Sequence, residues 1–193
     1  MQPQVVPYIT EEEYLEFERN SEIKHEYYDG EIFATSGASE AHNLIVANLI
    51  AILGLHLKKK PCRVYPSYMR LKIEKTKVYA YPDVMIVCGH DKFADNKEDM
   101  LLNPDVIIEV LSDSTESYDR GKKFGHYRKI VSLKEYVLIS QNVPKIEKFV
   151  RSENYLWIFS ATDERITDMS LESVGCTLNL DEVYDKVYDS VIT

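Results

Sequence analysis

YPDVMIVCG (residues 81–89), NPDVIIEVLS (103–112) and STESYDRGKKFGHYR (114–128) decide how this chain is read. Val84 to Val87 and Val106 to Leu111 are apolar, β-branched runs of strand length. Each carries or adjoins a carboxylate that a plain core strand does not need: Asp83 at the mouth of the first, Glu109 inside the second. An acid inside an apolar strand costs free energy unless it is paired or hydrogen-bonded. Lys123 follows in a segment of helical spacing, where Asp119, Lys123 and Tyr127 share one line. If the two runs pair as neighbouring strands, both acids reach one side. Two carboxylates and a lysine at one sheet edge suit a hard divalent cation such as Mg²⁺, with Mn²⁺ as a substitute, and the hydrolysis of a phosphodiester by activated water.

Each residue also has a structural explanation. Asp83 can open a strand after Pro82, Glu109 can belong to a buried ion pair, and Lys123 can pair with Asp119 at the surface. Asp105, in a second Pro-Asp pair, starts the same run as Glu109 and is the second choice of ligand, as Lys122 is the second choice of lysine.

Working outward, Thr10 followed by Glu11, Glu12 and Glu13 predicts an N-cap and a short helix to about Arg19. Asp29-Gly30 marks a tight hairpin between Lys24–Tyr28 and Glu31–Thr35. From Ser39 a broad apolar stripe of Leu44, Val46, Ala47, Leu49, Ile50, Leu53 and Leu57 predicts a long helix ending in Lys58, Lys59 and Lys60. Arg63–Pro66, Tyr68–Ile73 and Tyr79–Val87 read as strands. The polar loop His90–Leu102 is longer than a hairpin needs, which suits a mobile or covering segment. Ser114 or Ser117 can cap a helix to about Ile130. Glu135–Ser140 reads as a strand, Lys145–Arg151 and Tyr155–Ser160 as an antiparallel pair, and Leu178–Tyr188 as a weak acidic helix.

At 193 residues the chain suits one α/β domain spanning 1–193. A formal charge of −9 argues against a general basic surface that coats nucleic acid, though not against a nuclease whose cleft supplies positive potential locally. The 14 tyrosines suggest a half-exposed sheet or a subunit interface. Cys62, Cys88 and Cys176 are odd in number and widely spaced, which predicts buried thiols in a reducing compartment. No run reads as long enough for a bilayer and no leader pattern precedes Glu11, so the expectation is a cytoplasmic protein without a membrane.

The order Pro82-Asp83, Glu109 within IIEVLS and Lys123 within YDRGKKFGHYR resembles the PD-(D/E)XK nuclease superfamily, specifically the Uma-type restriction endonuclease family. The likeness extends from YDGEIFATSGAS to SLKEYVLIS. It implies a restriction-endonuclease-like mixed β-sheet flanked by helices, with Asp83 and Glu109 as metal ligands. Leu111 occupies the place where the superfamily lysine commonly stands, and the resemblance implies that Lys123 on the following helix replaces it. It also places His42 in the first turn of the long helix, near a phosphate or water. Glu31, after the hairpin turn, is a further candidate acid.

The function these features imply is a Mg²⁺-dependent endonuclease hydrolysing DNA, acting as a homodimer if both strands are cut. Arg120, Lys122 and Lys58 to Lys60 are the expected DNA-facing cations. The alternatives are a catalytically inactive nuclease fold kept as an interaction module, and a hydrolase of small phosphoesters. Ser112, Ser114 and Thr115 lack the turn and partners of a nucleophile and fit capping better.

Overall fold

Thr10 begins the first helix as its sequence dictates. Its hydroxyl accepts the Glu13 N–H while the Glu13 carboxylate accepts the Thr10 N–H, a capping box that opens α1 (Glu11–Arg19). The computed structural model describes residues 8–35, 37–154, 156–163 and 165–188; the lead before Tyr8, and Tyr155 at the expected start of a strand, lie outside them. β1 (His25–Tyr28) and β2 (Glu31–Ala34) form the hairpin, with Asp29 at φ 47° and Gly30 at φ 86° in the left-handed conformations such a turn requires. The Ser39 hydroxyl caps α2 (Glu40–Leu57) by accepting the His42 N–H at 3.1 Å.

A six-stranded sheet carries the site. It comprises β3 (Cys62–Pro66), β6 (Val84–Cys88), β8 (Val106–Leu111), β9 (Glu135–Ser140), β10 (Ile146–Arg151) and β11 (Trp157–Ala161), in the order β11-β10-β9-β8-β6-β3. β6 and β8 are antiparallel neighbours, with Val84 opposite Ile108. β8 and β9 are parallel, so the chain must cross over between them. It does so through α3 (Glu116–Tyr118), a wide π-helical turn at Asp119–Lys123, and α4 (Phe124–Tyr127).

Both sheet faces are covered, which is why the central strands read as continuous apolar runs. On one face Ile45, Leu49, Leu53 and Leu57 of α2 meet Val84, Ile86, Val106, Ile108 and Val110. On the other, Met85, Ile107, Leu111 and Leu138 meet Tyr127 and residues Leu71, Ile73, Val78 and Ala80 of a second, five-stranded sheet. That sheet runs β2-β1-β5-β4-β7, with β4 (Arg70–Ile73), β5 (Val78–Ala80) and β7 (Met100–Leu101). Tyr14 of α1 stacks on Tyr27 and packs at a tilt against Tyr79 across its far side. A hairpin of β12 (Asp168–Leu171) and β13 (Cys176–Asn179), then α5 (Leu180–Val183), completes the described fold.

Several expectations are corrected. The single strand read over Tyr79–Val87 is two strands in different sheets, because Pro82 has no N–H to give a ladder and the backbone turns at Tyr81-Pro82-Asp83. Cys62 and Cys88 are not free thiols. They lie directly opposite in the β3–β6 register and form a disulfide, leaving Cys176 free and buried. Part of the tyrosine excess is core material: Tyr14, Tyr27, Tyr79, Tyr127 and Tyr136 are all fully buried, each hydroxyl donating to a carbonyl or carboxylate. Loop 90–102 contains β7 and is clamped by Arg19, which reaches Asp95 at 2.7 Å and Asp99 at 3.0 Å. The crossover helix starts at Thr115 without a side-chain cap, the hydroxyls of Ser112, Ser114 and Thr115 bonding to one another instead. Leu178 lies in a strand, so the tail helix is confined to one turn. On α2, Ile45 is buried and Ala47 exposed, which rotates the expected stripe. With 18 residues, α2 is long and apolar enough by length and composition to span a bilayer; here it lays its buried face on the sheet.

Candidate active site

Three elements deliver the site to one end of the six-stranded sheet. Extending the register beyond Val84 and Ile108 brings Asp83 opposite Glu109. The two residues grip each other's backbone: Glu109 Oε2 accepts the Asp83 N–H at 3.3 Å, and Asp83 Oδ2 accepts the Val110 N–H at 2.8 Å. Period-two alternation turns Glu109 away from α2, toward the crossover helix. There the Lys123 ammonium stands 2.9 Å from Glu109 Oε1, and the Tyr127 hydroxyl donates to the same oxygen at 2.7 Å. Leu111, on the same strand face, joins the apolar layer, so the cation reaches Glu109 from the helix.

The ammonium is caged. Asp119 Oδ1 lies 3.3 Å and Glu26 Oε1 3.4 Å from Lys123 Nζ. Asp119 and Lys123 stand four residues apart on one face and are both buried, and they lie in a π-helical turn, a kind of turn frequent at functional sites. Glu26 comes from β1 and also accepts the Tyr81 N–H at 3.2 Å. On the α2 side, His42 Nε2 lies 3.2 Å from Asp83 Oδ2, while its Nδ1 is buried and has no hydrogen-bond partner among the described residues.

Charge at the centre is set by burial. Glu109 is only 3% exposed, and loss of water pushes its carboxyl up to about 8 against the pull of Lys123, with Asp83 and Asp119 adding to the rise. Burial also raises Asp119, opposed by Lys123. Burial by itself would strip the proton from Lys123; the charges around it, Glu109 first, outweigh that and hold the lysine protonated well above its ordinary range.

The family model described as "Putative restriction endonuclease" (Uma2) matches residues 11–181. The chain belongs to the Uma2 family. Two Synechocystis sp. proteins are its relatives: uncharacterized protein sll1609, 38% identical over 152 residues that cover 79% of this chain and 86% of that one, and uncharacterized protein slr1290, 33% identical over 182 residues, 92% of each. The crystal structure of a putative nuclease belonging to DUF820 from Anabaena variabilis matches with a TM-score of 0.77 at 18% identity, over 93% of this chain and 99% of that one. The fold is therefore the mixed α/β fold of that nuclease-like neighbour.

Of the residues singled out in the sequence, Asp83, Glu109, Lys123 and His42 come together. Glu31 does not join their ion pairs. It is exposed on β2 opposite Tyr28, and Glu26, two residues before Tyr28, fills that place. Glu26, in the strand His25–Tyr28, carried no local signal that separated it from Glu31. Tyr127 had only its helical spacing from Lys123. Asp105 lies at the far end of β8, where it accepts the Cys88 N–H at 2.7 Å and pairs with Lys134 at 2.8 Å. Arg120 is engaged by Glu116 and Glu147. Lys58 to Lys60 follow the end of an 18-residue helix that begins near His42, about 27 Å along its axis, and Lys60 donates to the Val174 and Gly175 carbonyls.

Among the described residues no group of three or more acids, histidines or cysteines is arranged around one metal position. The adjacent carboxylates of Asp83 and Glu109 fit the smaller demand of Mg²⁺, which takes one or two carboxylates and fills its shell with water and substrate phosphate oxygens. All-oxygen donors also suit Mn²⁺.

Proposed function

We propose that the chain is a Mg²⁺-dependent endonuclease that hydrolyses DNA phosphodiester bonds. The observation that supports this most is the delivery of Asp83, Glu109 and Lys123 from two strands and a crossover helix to one point, with the ammonium 2.9 Å from Glu109. Asp83 and Glu109 would hold the ion, which when bound supplies charge neutralisation at the phosphate and a more acidic water. Lys123, kept charged by its cage, orients the attacking water or donates to a phosphate oxygen. Tyr127 fixes the Glu109 carboxylate, and His42 holds Asp83 across the α2 N-terminus. Cutting both strands of a duplex calls for two such centres, hence a homodimer in this reading. In this reading the enzyme acts in the cytoplasm, and the Cys62–Cys88 disulfide withdraws the support that free cysteines would have lent.

A hydrolase of small phosphoesters is the second reading. It is favoured by one observation: Arg120 and Lys60, two expected DNA contacts, are already bound within the protein. The test is Mg²⁺- and Mn²⁺-dependent cleavage of supercoiled and linear DNA beside a small phosphodiester, by the parent, Asp83→Asn, Glu109→Gln and Lys123→Met. Cleavage of DNA that is lost in all three variants supports the endonuclease. Cleavage of the small ester alone moves the assignment to the second reading. Absence of both, with no metal-induced change in melting temperature, leaves a nuclease fold used for interaction.

A further inference from the structure

Tyr68 is 82% exposed, the most exposed of the large hydrophobic side chains among the described residues. It lies in the turn between β3 and β4. β3 ends with Pro66 paired to Val84, so the next residue on each strand, Ser67 and Asp83, leaves the ladder at the same end of the sheet. The turn therefore borders the acid cluster.

Lys24 is fastened to this turn. Its ammonium donates to Ser67 Oγ at 3.0 Å and to the Ser67 carbonyl at 3.4 Å, and it lies 4.8 Å from the centre of the Tyr68 ring. Burial lowers its affinity for a proton, while Asp83 and Glu26 are close enough to pull the other way. An isolated exposed aromatic is ordinary on a protein surface. This one has a cation against its ring and is otherwise largely exposed, beside the candidate site for a phosphodiester. The ammonium has three donors, two of them committed to Ser67.

We propose that Tyr68 and Lys24 form the substrate ledge of this site, where a base of a DNA strand stacks on the exposed ring of Tyr68 and the adjoining phosphate meets Lys24. This rests on the endonuclease reading for the identity of the substrate, and it adds a preference: a base held in a closed duplex has no free face to offer, so single-stranded or locally opened DNA binds better. Stacking also suits a chain of net charge −9, because it draws on the face of the base and not on a basic surface. A base stacked on an aromatic side chain contributes roughly 5- to 150-fold in affinity.

The test is fluorescence anisotropy with a labelled oligothymidylate and its duplex with oligoadenylate, in chelator so that nothing is cut, alongside cleavage in Mg²⁺. The expected result is tighter binding of the single strand by the parent, a loss of about tenfold in Tyr68→Ala, near-parent binding in Tyr68→Phe, and a salt slope reduced by about 1 in Lys24→Gln. Tyr68 is exposed, so its variants retain the fold. Binding by Tyr68→Ala equal to that of the parent overturns the ledge, as does a parent that does not bind the single strand. DNA cleavage that ignores Tyr68 sinks the ledge and leaves the endonuclease standing. Tyr68-dependent binding without cleavage of any DNA sinks the endonuclease and leaves the ledge.

Discussion

Replacing Lys123 by Met removes one charge and little volume. The ammonium it removes lies 2.9 Å from Glu109, 3.3 Å from Asp119 and 3.4 Å from Glu26, so three acids lose a shared cation at once. Removing one partner of a buried ion pair costs about 3–5 kcal/mol, because the remaining charge is left desolvated. For a chain of this size that corresponds to a fall in melting temperature of roughly 6–20 °C. The loss should depend on pH. Glu109 titrates near 4.5 unfolded and at about 8 folded; a carboxyl raised in this way contributes stability that is full below the unfolded value and lost as pH rises through the folded one. Without Lys123 nothing of opposite charge opposes that rise. Raising the folded value further leaves the one-proton slope inside that window unchanged and extends it upward, so the variant's stability should go on falling above a pH of about 8, where the parent's has levelled off. Urea unfolding followed by circular dichroism, carried from the unfolded value to above the folded one, measures both effects. A loss below about 1 kcal/mol at every pH, or one that does not change with pH, refutes the caged-lysine account.

Tyr127→Phe keeps the ring and deletes the donor to Glu109. It should cost about 1.5–3 kcal/mol in urea unfolding if that carboxyl is charged, and about half as much if it is protonated. In cleavage assays Glu26→Gln should slow the reaction while Glu31→Gln leaves it unchanged, since only Glu26 touches Lys123; the reverse order would return Glu31 to the site. Thiol titration in denaturant without reductant should find one reactive cysteine per chain, Cys176. Reduction should then lower stability by about 3–4 kcal/mol, the loop-closure effect for a separation of 26 residues; three reactive thiols before reduction would disprove the Cys62–Cys88 bond.

The two acids at the site were legible because each breaks a local rule. Glu109 interrupts a run that is otherwise apolar, and Asp83 follows a proline at the mouth of another. An isolated desolvated carboxylate is too costly for a simple core strand, so the anomaly itself pointed to a partner. Lys123 was reachable through spacing and resemblance, since Asp119 and Tyr127 share its line. Glu26 was not legible. Glu26 and Glu31 flank the same hairpin turn, and choosing between them needs the position of Lys123 in space. The disulfide was equally hidden: two cysteines 26 residues apart become neighbours only when β3 and β6 pair in one register.

By itself, then, the sequence determined the elements whose signals are local: the Thr10 and Ser39 caps, the Asp29-Gly30 hairpin, and the two apolar runs that became β6 and β8. Caps and turns depend on a few adjacent backbone groups, and burial on both faces leaves an unbroken apolar run. Tertiary structure decided what depends on distant partners. It divided Tyr79–Val87 between two sheets at Pro82, took the lysine run at the end of α2 away from the site, tied Arg120 to Glu147, and set Glu26 rather than Glu31 beside Lys123. Those outcomes follow from strand register and helix length, which fix where a side chain arrives only after the elements have packed.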